Sequence, residues 1–311
     1  MNSVPEPQVP EGAAGVRLHG DRYLAACAEL LADCEGSLIH DSVMQDTAQK
    51  LGRVDSQYAT WLNSLLTHLK TEYGVADLPI LDFGSGMGSL TVLMNVLGHR
   101  AVGTELQSEH IRVSRILAEE NGLDGEETFV PGGGKRLPFE DGAFGIVTLF
   151  SVLEHIDDAT LMALLPELRR VCRGVIFTLF PNRWKVHDDH TGLRFVTWLP
   201  RALAVPYIRL RGPRHHYHIS DDRSWDVVSR GLYSAARPFE RAGFRLAFPP
   251  DQHVFPPLDQ LPAMRGVGRT ITLAGRERFI GIPYPIRTAA RLGVPPQAFY
   301  PYLNLVFVRE S

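Results

Sequence analysis

Residues 80–88 read ILDFGSGMG, a short apolar run that ends in Asp82 and is followed at once by Gly84, Gly86 and Gly88. Glycine lets the backbone turn tightly and come close to a ligand, and a helix that follows such a turn presents free N–H groups. The preceding LPILDF has the length and character of a buried strand, and Ser89 to Leu97 has the periodicity of a helix. The unit is therefore strand, glycine turn, helix. Its spacing is G-x-G-x-G with Ser at position 89, whereas a dinucleotide fingerprint requires G-x-G-x-x-G, which argues against NAD.

Outward from this stretch the same alternation continues. AVGTE is a strand, Glu109 to Asn121 a helix, ETFVP a third strand, FGIVTLF a fourth, Ala159 to Val171 a helix and GVIFTLF a fifth strand. Strands alternating with helices imply a parallel sheet with crossovers on both faces. The expected class is α/β, a Rossmann-like doubly wound sheet of seven strands with an N-terminal helical lid and late insertions. We divide the chain into a disordered Pro-rich tail (1–16), a helical cap (17–77), a core (78–180), an insertion rich in His, Arg, Pro and Trp (181–223) and a C-terminal part of the core (224–311). That last part is read as a helix from Ser224 to Ala242, the strand FRLAF, a Pro-rich insertion over 249–302 and a final strand LNLVFVRE. Cys27 and Cys34, seven apart in a helical stretch, are expected to share a face as small buried hydrophobes.

Composition sets the bounds. The chain has 311 residues, 44% hydrophobic and 22% charged, enough to bury a sizeable core. Lys+Arg (32) and Asp+Glu (35) nearly balance, so a contact with nucleic acid or an anionic membrane has to come from a local patch. Three cysteines are too few for a disulfide framework or a four-cysteine zinc site, and no apolar run is long enough to span a membrane. The expectation is a cytoplasmic protein with a small-molecule partner.

The ligand follows from two acids. A carboxylate at Asp82 beside the glycine turn repels a pyrophosphate but attracts an ammonium or sulfonium group, and Glu105, ending the second strand, can accept two hydrogen bonds from a ribose diol. S-adenosylmethionine has that combination of charge and sugar. At these residues, and in GGGKRLPFEDGAFGIVTLFSVLEHI over 132–156, the chain resembles the class I S-adenosylmethionine-dependent methyltransferases. The resemblance implies that Asp82, Gly84, Ser85, Gly86 and Gly88 surround the methionine moiety, that Glu105 binds the ribose, and that Leu106, Gly133 and Gly134 flank the adenine, with Ser151 at the end of the fourth strand. Two departures stand out. The family usually has an acid where this chain has Gly133 and another where it has Gly145, which leaves adenine to backbone and apolar contacts such as Leu106 and Leu137.

For the acceptor the sequence offers histidines. HDDHTGLRFVTWLP (187–200) follows the fifth strand, and a loosely similar stretch occurs in bacterial methyltransferases of sugar, lipid and secondary-metabolite pathways; it points to His190 as a base, with Asp188 or Asp189 to orient it. His155, after the fourth strand, is the second candidate. Arg209, Arg211, Arg214, His215, His216 and His218 with Tyr207 and Tyr217 form a basic cluster, from which Arg214 and Tyr217, together with His187, are read as acceptor-binding. Some relatives hold a divalent cation on Glu-x-x-Glu-His; here Ser151 replaces the first acid of that pattern, so the expectation is activity without a metal. The resulting function is O-methylation of a small molecule. The alternatives are an RNA 2′-O-methyltransferase, which the acidic net charge opposes, and a cofactor-binding protein without transfer activity.

Overall fold

In the computed structural model the described residues are 17–38, 40–41, 44–45, 51, 56–133, 136–216, 225–255, 269–273, 276–280 and 292–310. Strands β1 (Ile80–Phe83), β2 (Ala101–Glu105), β3 (Phe129–Pro131), β4 (Phe144–Phe150), β5 (Cys172–Pro181), β6 (Phe244–Ala247) and β9 (Tyr302–Arg309) make one seven-stranded sheet in the order β3-β2-β1-β4-β5-β9-β6. Strands β1 to β5 pair in parallel, and β9 runs antiparallel to both β5 and β6. The chain builds outward from β1 to β3 and returns to β4. This leaves a switch point at the carboxyl ends of β1 and β4, where ligands collect in open α/β sheets.

Successive strand residues serve opposite faces, as a period of two requires. Ile80 and Ile146 join one core cluster and Leu81, Val147 and Leu149 the other. Helix α1 (Asp21–Leu30) and helix α2 (Gln57–Glu72) cover the first face. Leu62, Leu65, Leu66 and Leu69 of α2 are fully buried at helical spacing. Ser56 caps α2 by accepting from Ala59 N–H at 3.3 Å. The start of α1 is held by the Glu120 carboxylate, which accepts from the N–H groups of Arg22 and Tyr23 at 3.0 Å each.

Three expectations are corrected. The strand expected at ETFVP gives up its first residues to a helical turn, Gly125–Thr128, because Asp124 accepts from the N–H groups of Glu126 and Glu127 at 2.8 and 3.0 Å. The helix expected from Ser224 begins at Leu232. Trp225 and Val227 are buried instead in a third cluster with Leu193, Val196, Ala204 and Ile208, a tertiary contact that overrides local propensity. Cys27 and Cys34 do not share one helix, because α1 ends at Leu30 and Cys34 sits in the following 3-10 turn; burial pushes the Cys27 thiol up to about 11. The 249–302 insertion contains a hairpin, β7 (Arg269–Leu273) with β8 (Arg276–Ile280). The tail 1–16 lies outside the described residues. Among those described, no helix is long and apolar enough to cross a membrane.

Because Leu66 is fully buried between α2 and the sheet, Leu66→Ala is expected to cost about 2–5 kcal/mol of unfolding free energy in urea melts. A loss under about 1 kcal/mol would mean that α2 does not pack as described.

Candidate functional site

The glycine turn after β1 is fixed by backbone geometry that only glycine adopts easily. Gly86 and Gly88 have φ of +54° and +85°. A side chain at Gly88 would lie 2.6 Å from Phe129 and Ser114, so that glycine is a packing requirement. At Gly86 a Cβ would meet no atom within 4 Å, so this residue faces open space. Its own polar groups are held in place: Gly86 N–H donates to Glu105 Oε2 at 3.1 Å, and Ser114 Oγ donates to its carbonyl at 3.1 Å. The other Glu105 oxygen accepts from the N–H groups of Leu106 and Gln107 at 2.7 and 3.2 Å. Glu105 thus joins the end of β2 to the glycine turn and to the start of helix α4 (Ser108–Glu120).

Asp82 is 2% exposed and accepts from Thr91 Oγ1 at 2.7 Å and from Thr148 Oγ1 at 2.9 Å. Its charge lies directly beneath the turn. Leu106 is 70% exposed at the rim, and a side chain at Gly133 would lie 2.6 Å from it. An apolar lid therefore occupies the place where the usual acid is missing. Leu137, expected to help flank an adenine, is buried in the core instead, with its N–H donated to Glu167 Oε1 at 2.6 Å. The absence of an acid at Gly145 is a matter of packing, since a Cβ there would lie 2.7 Å from Val75. Gly134 lies outside the described residues.

The fit to S-adenosylmethionine rests on these features. Open space fronts Gly86, the buried Asp82 ends the strand before the turn, and the hydroxyls of Ser85 and Thr104 are buried beside it without hydrogen-bond partners among the described residues. A pocket with a buried carboxyl group beside the turn suits a cation bearing a ribose.

The second half of the site follows β4 and β5. Ser151 has φ +54°, strained for a residue with a side chain, and its N–H donates to Leu179 O at 2.8 Å. The 3-10 turn Leu153–His155 comes next. Glu154 is 3% exposed, and its Oε2 has no hydrogen-bond partner among the described residues. Burial pushes the Glu154 pKa up to about 7, against an opposing pull from nearby His190. His190 is at the tip of a hairpin closed by pairing of His187 with Arg194, and is 8% exposed. Its ring packs edge-on to His155, with centroids 5.3 Å apart. Asp188 accepts from Thr191 N–H and Oγ1 at 2.8 and 2.6 Å, with its other oxygen 3.4 Å from His190 Nδ1. Burial disfavours the charged imidazolium, but the bond to Asp188 and the charges of Asp188, Glu154 and Asp189 outweigh it, so the His190 pKa is raised above its ordinary value. Burial likewise pushes against an ionised Asp188, yet its bonds to His190 and Thr191 leave its pKa lowered.

Of the two acids considered as partners for His190, Asp188 is the one beside it. Asp189 turns away to Lys185 and to Tyr302, whose hydroxyl donates at 2.8 Å. His187 accepts from Arg194 Nε at 3.1 Å, and Arg214 pairs with Asp41 at 3.1 Å, so neither is bonded to the histidine cluster; Tyr217 and His218 lie outside the described residues. One residue, Arg230, escaped the sequence reading, and His215, read there only as part of the basic cluster, has a bracing role. His215 donates to Thr191 O at 2.6 Å and braces the hairpin tip. Arg230, almost wholly buried, donates to Leu153 O at 2.7 Å and to Asp158, fixing the turn that carries Glu154. No spacing rule marks an isolated arginine in SWDVVSRGL as buried. Glu154, His155 and His190 also place one ligand atom each within 4.8 Å of one another, a set suited to a divalent cation.

Residues 80–174 match the family model described as a methyltransferase domain. Over 90 residues the chain is 34% identical to a ubiquinone biosynthesis O-methyltransferase of Ruegeria sp., a match covering 29% of this chain and 36% of that protein. Over 80 residues it is 30% identical to norajmaline N-methyltransferase of Rauvolfia serpentina, covering 25% and 27% respectively. It also superposes on a magnesium protoporphyrin IX methyltransferase of Synechocystis at 14% identity and a TM-score of 0.45, covering 86% of this chain and 87% of that one. The chain spans about a third or less of the two curated relatives. Its core is a class I S-adenosylmethionine-dependent methyltransferase domain.

Glu154 and His190 both hold their protons more tightly in the folded chain than in the unfolded one. For Glu154 the pKa rises from 4.5 to about 7, so stability falls as pH rises between those values. The share from His190 is full below its ordinary pKa and is lost as pH rises through the raised one. Glu154→Gln removes the first part. Its melting temperature relative to wild type is therefore expected to rise between about pH 5 and about pH 8. A constant difference across that range would mean that Glu154 is solvated in solution.

Proposed function

We propose that this methyltransferase domain transfers the methyl group of S-adenosylmethionine to a hydroxyl of a small molecule, with His190 as general base. One observation carries the base assignment: His190 is pinned by Asp188 on a hairpin that follows β5, beside the Glu154–His155 turn that follows β4. Both segments leave the same sheet edge as the glycine turn. The small-molecule class is supported by the names of the matched relatives, which concern ubiquinone biosynthesis and norajmaline. A sugar, lipid-linked or secondary-metabolite acceptor is the finer reading, drawn from the 187–200 stretch.

S-adenosylmethionine, when bound, supplies an electrophilic methyl carbon on a positively charged sulfur. Asp82 contributes a buried negative charge that favours the cation, and Glu105 the carboxylate that meets the ribose. Gly86 keeps the approach open. His190, with Nδ1 beside Asp188, would take the acceptor hydroxyl's proton at Nε2 as that oxygen bonds to the methyl group the cofactor would supply, the sulfur retaining the electron pair of the bond that breaks. Asp188 orients the ring and stabilises the imidazolium. The chain's main work is holding the reactants in line and excluding water.

A second reading has its own observation, the three ligand atoms of Glu154, His155 and His190. In it the cluster holds a divalent cation that polarises the acceptor oxygen.

Binding is checked by calorimetry. The wild type is expected to bind S-adenosylmethionine but not NAD. Gly86→Val should abolish binding in a folded protein, and Glu105→Ala should weaken it by about 1.5–3 kcal/mol. Unchanged affinity in folded Gly86→Val would remove the pocket from this turn.

For the base, His190→Ala should lower turnover by roughly 10²–10⁴ with cofactor affinity nearly intact. Wild-type rate should fall as pH drops through a value above the ordinary histidine pKa of 6.5, since His190 must be neutral to accept a proton. Near-normal turnover of the variant would return His190 to a structural role. Activity lost on chelation and restored by magnesium or manganese would favour the second reading.

A further inference from the structure

The insertion that carries His190 inward also carries an unusual outer surface. Of the ten exposed large apolar side chains among the described residues, six lie between 184 and 210: Trp184, Val186, Phe195, Trp198, Leu203 and Leu210. Trp198 packs edge-on to both Trp184 and Phe195, with centroids 6.1 and 5.1 Å away, so three exposed rings form one patch. Phe195 sits at φ +64°, a strained conformation for an aromatic residue. Helix α7 (Arg201–Leu210) is apolar on both sides. Ala204 and Ile208 are fully buried, while Leu203 and Leu210 are 59% and 85% exposed one helical stripe away, at i and i+7.

The charge is equally uneven. Residues 183–214 contain seven Lys and Arg against Asp188 and Asp189, a net +5 in a chain of net −3, so all other residues together carry −8. Both acids are engaged internally, Asp188 with Thr191 and Asp189 with Lys185 and Tyr302. Lys185 is engaged with Asp189 and Arg214 with Asp41, which leaves Arg183, Arg194, Arg201, Arg209 and Arg211 as the basic side chains of the segment that carries the apolar patch. Tryptophan rings suit the headgroup level of a bilayer, exposed leucines suit the acyl boundary, and arginines suit anionic phosphates. Single-stranded RNA would also meet arginine and aromatic rings, but it stacks on planar groups, which Val186, Leu203 and Leu210 are not. A second copy of the chain would set +5 against +5.

We propose that residues 184–211 form a docking surface for an anionic lipid bilayer, a peripheral contact made by the Trp184–Phe195–Trp198 patch and the outer stripe of α7. The surface does not depend on methyl transfer, and the experiment uses neither cofactor nor acceptor.

The full chain is floated with vesicles of phosphatidylcholine alone and of equal parts phosphatidylcholine and phosphatidylglycerol. Flotation is expected only with the second, accompanied by a blue shift of tryptophan emission, since Trp184 and Trp198 are the exposed tryptophans and Trp61 and Trp225 are already buried. The double variant Leu203→Ser/Leu210→Ser alters exposed positions and should keep its melting temperature while losing at least about tenfold in vesicle affinity. Arg209→Gln/Arg211→Gln should weaken binding to the anionic vesicles at low salt, by a margin that shrinks as rising salt screens the wild-type contact. The proposal is overturned by no flotation with either vesicle, by flotation unaffected by the leucine variant, or by a wild-type dimer that the leucine variant dissociates. Salt-dependent retention on poly(U) without vesicle binding would assign the patch to RNA and overturn it as well.

Discussion

A buried carboxylate with two hydroxyl partners governs the centre of this molecule. Asp82 ends the usable part of β1, and its oxygens are taken by Thr91 from the helix after the glycine turn and by Thr148 from β4. A carboxyl group at 2% exposure is costly unless its lone pairs are met, so these hydroxyls cannot be replaced by methyl-bearing isosteres without penalty. Because Asp82, Thr91 and Thr148 belong to three separate pieces of the switch point, satisfying one carboxyl group ties together the end of β1, helix α3 (Ser89–Val96) and β4. Gly86 with its Glu105 bridge and the strained Ser151 follow β1 and β4 directly at this edge.

The acceptor side is built on the opposite principle. The oxygens of Asp82 are both met by hydroxyls; at Glu154 one oxygen is buried without a partner among the described residues, and His190 is held charged more readily than in water. A half-satisfied buried network is a poor way to stabilise a fold. Arg230 and His215 show that the surrounding chain spends hydrogen bonds to keep the network in place. Stability surrendered at a sheet edge where a reaction would occur is the usual sign of a site arranged for chemistry rather than for packing.

How much of this was readable beforehand divides along the same line. The glycine turn, Glu105 and the sheet were legible because each depends on local rules: glycine spacing, an acid at a strand end, apolar periodicity. Asp188 beside His190 was legible as one of two choices, and only the hairpin's return through Arg194 decides between them. Arg230 was not legible, since its importance comes from a turn 77 residues away. The late start of helix α8 (Leu232–Arg241) failed for a related reason: Trp225 and Val227 have apolar partners in the 193–208 segment that no local window contains.

The insertion shows why long-range closure matters for function as well as for fold. Between Asn182, whose side chain donates to Ala298 O and Tyr300 O, and Arg230, which bridges back to Asn182, the excursion is tied at its base to the sheet. Its inner side is then pinned by Asp188, Thr191 and the third apolar cluster. With Asn182 and Arg230 anchored and the described residues 193–208 packed on Trp225 and Val227, the outer rings and leucines are carried on a packed support. Contacts made on the outside therefore need not disturb the position of His190, because the side chains that set it, Asp188 and Thr191, are themselves buried and bonded to one another. One segment serves both an inward and an outward surface because its middle layer is a small core of its own.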